Sequence, residues 1–111
     1  MSEDLQSYTS GTSERPLLGM TIGEMLDRTA EKYPDTEALV CLHQDIRWTY
    51  KEFVGKVNEA ARAFMAIGVK RGDRVGIWSP NRYEWTVTQF ATAKVGAILV
   101  NINPAYGMHE L

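Results

Sequence analysis

The chain has 111 residues, of which 44% are hydrophobic and 23% charged, with a formal net charge of −2. That length fits one small domain or a piece of a larger one, and the composition is ordinary for a globular protein. The near-neutral charge, with no Lys/Arg run longer than two, excludes a phosphate-tracking nucleic-acid stripe and an anionic-membrane patch.

Residues 1–19 are polar, rich in Ser and Thr and aperiodic, and read as a flexible N-terminal arm. The opening stretch has neither the apolar core of a signal peptide nor the arginine-rich makeup of a transit peptide. No run approaches the roughly 18 apolar residues of a membrane span. With a single cysteine, Cys41, an internal disulfide is excluded, and the expected location is cytoplasmic. Order is expected from residue 20 onward. Thr21 and Glu24 spell a capping box, and Ile22, Met25, Leu26, Thr29, Ala30 and Tyr33 follow at helical spacing until Pro34 stops the helix.

Residues 37–42 form a short apolar strand in which Cys41 is expected to be a buried, inert thiol. His43-Gln44-Asp45 makes a turn and residues 46–48 a second strand, so the pair reads as a small hairpin. Thr49 with Glu52 repeats the capping box. Behind it Tyr50, Phe53, Val54, Val57, Ala61, Phe64 and Met65 line one face of a long helix, with Gly68 placed to end it in the left-handed conformation. Residues 74–78 (RVGIW) read as a buried strand broken by Ser79-Pro80-Asn81. Asn81 and Glu84 suggest a third cap, for a helix over 82–95 closed by Gly96. A last apolar strand follows at 97–101. Strand, helix and strand in this order predict an α/β fold with a parallel crossover.

Several tempting sites have plainer readings. Arg71-Gly72-Asp73 spells an adhesion tripeptide, but between a helix and a strand it is turn chemistry, with Gly72 supplying positive φ. Glycines 68, 72 and 76 do not fit G-x-G-x-x-G, and no G-x-x-x-x-G-K-[ST] occurs. His43 and His109 lie far apart without metal-ligand spacing. Ser79 has no acid or histidine placed by sequence to activate it. Trp48, Trp78 and Trp85 read as core or contact residues rather than a stacking platform. No catalytic, cofactor-binding or metal-binding residue is therefore assigned.

Two stretches carry more. Trp48-Thr49-Tyr50-Lys51-Glu52-Phe53 resembles the first core motif of the adenylate-forming (AMP-binding) enzymes, [LW]-[TS]-Y-x-E-[LF]. The run AKVGAILVNINP at 93–104 is similar to the second, A-x-x-x-G-A-x-x-x-x-x-x-P. GVKRGDRV (68–75) and WSPNRYEW (78–85) fall between them in the family's order, so residues 20–111 are covered. NINPAY (101–106), followed by His109-Glu110-Leu111, most resembles the fatty-acyl-CoA synthetase branch, medium-chain type, although Gly107 stands where that branch commonly has arginine.

The resemblance implies a partial N-terminal subdomain of the adenylate-forming fold, with the hairpin and the parallel strand-helix-strand unit as its parts. It implies a parent ligase that joins a fatty acid to ATP as an acyl-adenylate and passes the acyl group to coenzyme A, using Mg²⁺. ATP, Mg²⁺ and CoA thus belong to the parent, and none is expected on this fragment. The remainder of the parent enzyme is its expected partner. Tyr8-Thr9-Ser10-Gly11-Thr12 resembles the family's phosphate loop, Y-T-S-G-T-T-G-x-P-K-G. Here, however, Glu14 replaces the second glycine, Leu17 the lysine and Leu18 the last glycine, and in the family that loop comes later. The fragment alone is expected to be inactive scaffold and to self-associate through a bare sheet edge. The alternatives are a stand-alone interaction or regulatory module that kept this scaffold, and a small nucleotide-binding domain, disfavoured by the missing glycine loop.

Overall fold

Local capping sets where the helices begin. In the computed structural model, which describes Thr9 and residues 11–110, Thr21 caps α1 (Ile22–Lys32). The Glu24 N–H donates to Thr21 Oγ1 at 3.1 Å, and the Thr21 N–H donates to Glu24 Oε2 at 3.2 Å. Thr49 and Glu52 build the same reciprocal box at the start of α2 (Tyr50–Ala66). Two more orphan donors of that helix, the N–H groups of Tyr50 and Lys51, reach the carbonyls of Thr36 and Pro34 at 2.9 and 3.1 Å. The helix is thereby clamped to the loop that joins α1 to the hairpin.

That hairpin pairs β1 (Glu37–Cys41) antiparallel with β2 (Ile46–Thr49), with an irregularity between Glu37 and Leu39. A short 3-10 turn, Leu42–Gln44, joins them and closes on Asp45 in the left-handed region (φ 55°). The second sheet pairs β3 (Arg74–Trp78) parallel with β4 (Ile98–Ile102), and α3 (Tyr83–Val95) makes the crossover. Gly96 ends α3 with φ of 78°. A side chain there would also meet Arg71 Cγ at 3.0 Å, so both conformation and space call for glycine. The α/β class, the hairpin and the parallel pair are as the sequence predicts.

One core joins the three helices. Leu26 of α1, Phe53, Val57 and Ala61 of α2, and Val87 and Ala91 of α3 are buried together, with Val57 and Ala91 fully enclosed. Phe53 meets Phe90 edge-to-face, ring centroids 5.6 Å apart, an arrangement that suits the ring quadrupoles. Thr92 is buried in α3, where its hydroxyl donates to the Thr88 carbonyl at 2.9 Å, so no buried donor is wasted. Lys94 crosses the helix ends. Its Nζ donates to Asp27 Oδ1 of α1 at 2.5 Å and to Asn58 Oδ1 of α2 at 2.7 Å.

Helical spacing does not by itself bring cover. Ile22, Met25 and Tyr33 follow helical spacing, yet all three are exposed, and of the predicted α1 stripe only Leu26 is fully in the core. Met65 likewise points out at 63% exposure. A helical period identifies a face but not whether anything packs on it. The parallel pair has one open face, where Trp78, Ile98 and Val100 stand exposed. No helix among the described residues is long and apolar enough to cross a membrane.

Candidate functional site

A polar cluster sits where the hairpin tip meets the start of α3. Arg82, the N-cap of α3, makes no side-chain capping bond, and the cap expected from Asn81 with Glu84 does not form. Asn81 lies one residue too early. The acceptor comes instead from across the chain: Gln44 Oε1 takes the Tyr83 N–H at 2.8 Å. The same amide donates through Nε2 to both oxygens of Glu84, at 3.1 and 3.2 Å. Gln44 thus supplies acceptor and donor to one helix start and pins hairpin to helix. The sequence signal for it was a negative one, a helix beginning on Arg82 without Ser, Thr, Asp or Asn at its cap.

Cys41 belongs to this cluster and corrects another expectation. It is half-buried rather than buried, and its Sγ donates to Gln44 Oε1 at 3.0 Å. His43 Nδ1 stands 3.5 Å from the same sulfur. A thiol beside an imidazole is the raw material of nucleophilic catalysis, but that chemistry needs the base oriented by a third group. His43 is exposed and its hydrogen-bond contacts among the described residues lead only back to Cys41. A groove of about 360 Å³ runs past Cys41, His43, Arg82 and Tyr83. The cluster therefore reads as a structural pin beside a groove.

Glu84 is tuned by its place there. Partial desolvation pulls its pKa up, but its own backbone N–H, the Gln44 amide and the Arg82 guanidinium outweigh that, and the net direction is down. A carboxylate with a lowered folded pKa stabilises the fold above its unfolded pKa, and the contribution is lost as pH falls through the folded value. Replacing Gln44 by Ala removes the cap and should cost about 1–2 kcal/mol, a midpoint drop of several degrees in thermal unfolding followed by circular dichroism. Glu84→Gln should cost less and should flatten the acid limb of stability against pH. An unchanged limb in that variant would refute the coupling.

The other tempting residues stay apart. Tyr8 and Ser10 lie outside the described residues, while Thr9, Gly11 and Thr12 are exposed, with open space around Gly11. Ser79 Oγ donates to the Pro80 carbonyl at 2.9 Å and serves its own turn. Arg71-Gly72-Asp73 is a turn with Gly72 at φ 86°, its N–H bonded to the Gly96 carbonyl at 2.9 Å. No group of three His, Cys, Asp or Glu side chains among the described residues is arranged to hold a metal ion.

The two motif stretches, by contrast, occupy framework positions throughout. Trp48 packs edge-on to Tyr83 at 5.0 Å, Thr49 and Glu52 form the cap, and Phe53 is in the core. In the second stretch Lys94 ties three helices and Gly96 makes the turn into β4. Residues 26–111 match the family model described as AMP-binding enzyme. The chain belongs to the AMP-binding enzyme family.

Within that family, a mitochondrial medium-chain acyl-CoA ligase of Danio rerio is 50% identical over 105 residues, 95% of this chain but 17% of the relative. The N-terminal domain of FACL13 from Mycobacterium tuberculosis superposes with a TM-score of 0.78 at 34% identity, covering 81% of this chain and 23% of that one. A Mycobacterium tuberculosis fatty acyl CoA synthetase gives the same TM-score and identity over 81% of this chain and 18% of its own. The fold is that of the N-terminal subdomain of AMP-binding enzymes. The chain spans about a sixth of the length of the curated relatives it matches.

Proposed function

We propose that this chain is the N-terminal scaffold of an ATP-dependent fatty-acid–CoA ligase acting on medium-chain acids. The reaction of the parent would be acid plus ATP plus CoA to acyl-CoA, AMP and pyrophosphate, by way of an acyl-adenylate. The observation that carries this reading is the 50% identity with a medium-chain acyl-CoA ligase across 95% of the chain. Its role here would be mechanical: capped helix starts, a common core and a parallel strand pair on which a larger sheet can be built.

The described residues do not fit a site for Mg²⁺, which demands several oxygen ligands in near-octahedral array. In this reading the ion, the nucleotide and CoA are held by parts of the parent beyond these residues. Catalysis of adenylyl transfer rests on positioned cations and N–H donors. Lys94 is the most enclosed cation in an ion pair here, and Asp27 and Asn58 already occupy it.

The test is a chimaera in which this chain replaces the matching segment of the Danio rerio ligase. Expected is a folded enzyme that keeps carboxylate-dependent exchange of pyrophosphate into ATP, with octanoate preferred over acetate. A folded chimaera without exchange would refute the proposal. The rival reading, a stand-alone interaction module, draws on the closed three-helix core, which favours independent folding. For the compartment, the names of the relatives put a mitochondrial address beside the cytoplasmic one expected from the sequence. Imaging the tagged protein in its own cells separates the two.

A further inference from the structure

A groove of about 360 Å³ opens between α1, the start of α2 and the middle of α3, lined by Leu18, Met20, Ile22, Met25, Tyr50 and Phe90. Its wall is apolar, yet Leu18, Ile22 and Met25 are 66%, 63% and 42% exposed among the described residues. None of the lining residues belongs to β3 or β4, so the groove is separate from the open face of that sheet. Much of it is built by residues 18–25, ahead of the stretch that matches the family model.

We propose that this groove is the seat of the chain's own first eight residues, with Tyr8 as the anchor and Leu5 beside it. Residues 1–8 lie outside the described residues, and their sequence, MSEDLQSY, holds three large apolar side chains among polar ones. Tyr8 precedes Leu18, in the groove wall, by ten residues. Ten extended residues reach at most about 35 Å, so the arm stays close to the groove whatever its path. The connecting segment also turns: the Arg15 N–H donates to Ser13 Oγ at 3.2 Å, and Gly11 has open space around it, so nothing there blocks a return.

The tether and the chemistry both favour this occupant. A segment joined by so short a link faces its seat at millimolar effective concentration, whereas a free partner must bind at its own cellular concentration. A modest fit therefore suffices for the arm. Tyrosine offers a large apolar ring at a low cost in side-chain entropy, and its hydroxyl can stay in water at the open mouth. Met20 and Met25 set two thioethers in the wall, which are favourable neighbours for an aromatic ring. The match with the Danio rerio ligase takes in 105 of the 111 residues, so Tyr8 falls within it wherever the unmatched residues lie. The shared sequence thus runs through the arm rather than stopping at α1.

Methyl spectra of the full chain labelled at methionine give the test. Met20 and Met25 line the groove, whereas Met65 and Met108 stand exposed away from it. Tyr8→Ala should move the Met20 and Met25 resonances, through loss of the ring's field, and leave those of Met65 and Met108 in place. The two unmoved lines also report that the fold is kept. Deleting residues 1–8 should repeat the effect, while Tyr8→Phe, which keeps the ring, should leave all four lines near their places. As a positive signal, Ser7→Cys with Ile22→Cys in a Cys41→Ser background should close an intrachain disulfide in oxidised glutathione. That closure should be at least ~tenfold faster than in the same pair carrying Tyr8→Ala. Groove resonances untouched by Tyr8→Ala and by the deletion would overturn the proposal, and so would equal rates of closure. A shift that fades on dilution would overturn it too, since the arm would then come from a second copy. Each readout is independent of acyl transfer, so the seat and the ligase reading stand or fall separately.

Discussion

Replacing Phe53 by Ala is expected to cost about 3–5 kcal/mol and to leave the chain largely unfolded at 37 °C. Phe53 is 3% exposed, and it is the largest side chain in the buried cluster that Leu26, Val57, Ala61, Val87 and Ala91 complete. Truncation removes the ring's apolar surface from the core and the edge-to-face contact with Phe90 in one step. The cavity would lie where α2 meets α3, and small neighbours such as Ala61 and Ala91 have no reach to fill it. A domain of this size has little stability in reserve, so the loss is a large share of the total. Urea denaturation followed by tryptophan fluorescence gives the number. Phe53→Leu, which keeps most of the volume, should cost less than half as much. Equal losses in the two variants would mean that the ring's packing is not what matters.

What the sequence made legible was what is decided locally. Thr21 with Glu24 and Thr49 with Glu52 each act over three residues, and both boxes form as read. Gly68, Gly72 and Gly96 all have positive φ, where the reading needed glycines for a helix end and turns. The family was legible because the residues at 48–53 and 93–104 sit at caps, core and turns, where backbone geometry restricts the choice. What failed was decided by partners distant in sequence. Gln44 caps a helix that starts 39 residues later, and no local pattern encodes that pairing. Cys41 sits in an apolar run, which suggested burial, but among the described residues β1 has one neighbouring strand, and Val40 faces out. The exposure of Ile22, Met25, Trp78 and Met65 follows the same logic, since apolar spacing marks a surface as fit for burial without supplying its cover.

Lys94→Ala is expected to cost about 2–3 kcal/mol, more than its single ion pair explains. The Lys94 side chain is only 14% exposed, whereas Asp27 is 50% exposed, so solvent screens the carboxylate and the pair alone contributes little. The larger share comes from two other sources. Asn58 Oδ1, in the half-buried face of α2, accepts from the ammonium at 2.7 Å and would lose that partner. The aliphatic stem packs against Gly23, where a Cβ would stand 3.0 Å from Lys94 Cγ, so truncation opens a gap between α1 and α3. Three variants separate these contributions. Lys94→Met keeps the stem and should recover about half of the loss, while Asp27→Asn should cost no more than ~0.5 kcal/mol. Asn58→Ala should fall between them. Because Lys94 is, among the described residues, the one side chain of α3 bonded to both α1 and α2, its removal should also loosen α1 first, seen as faster amide exchange in Ile22–Lys32 than in Tyr50–Ala66. Uniform acceleration across both helices would mean that Lys94 adds to global stability without holding α1 in place.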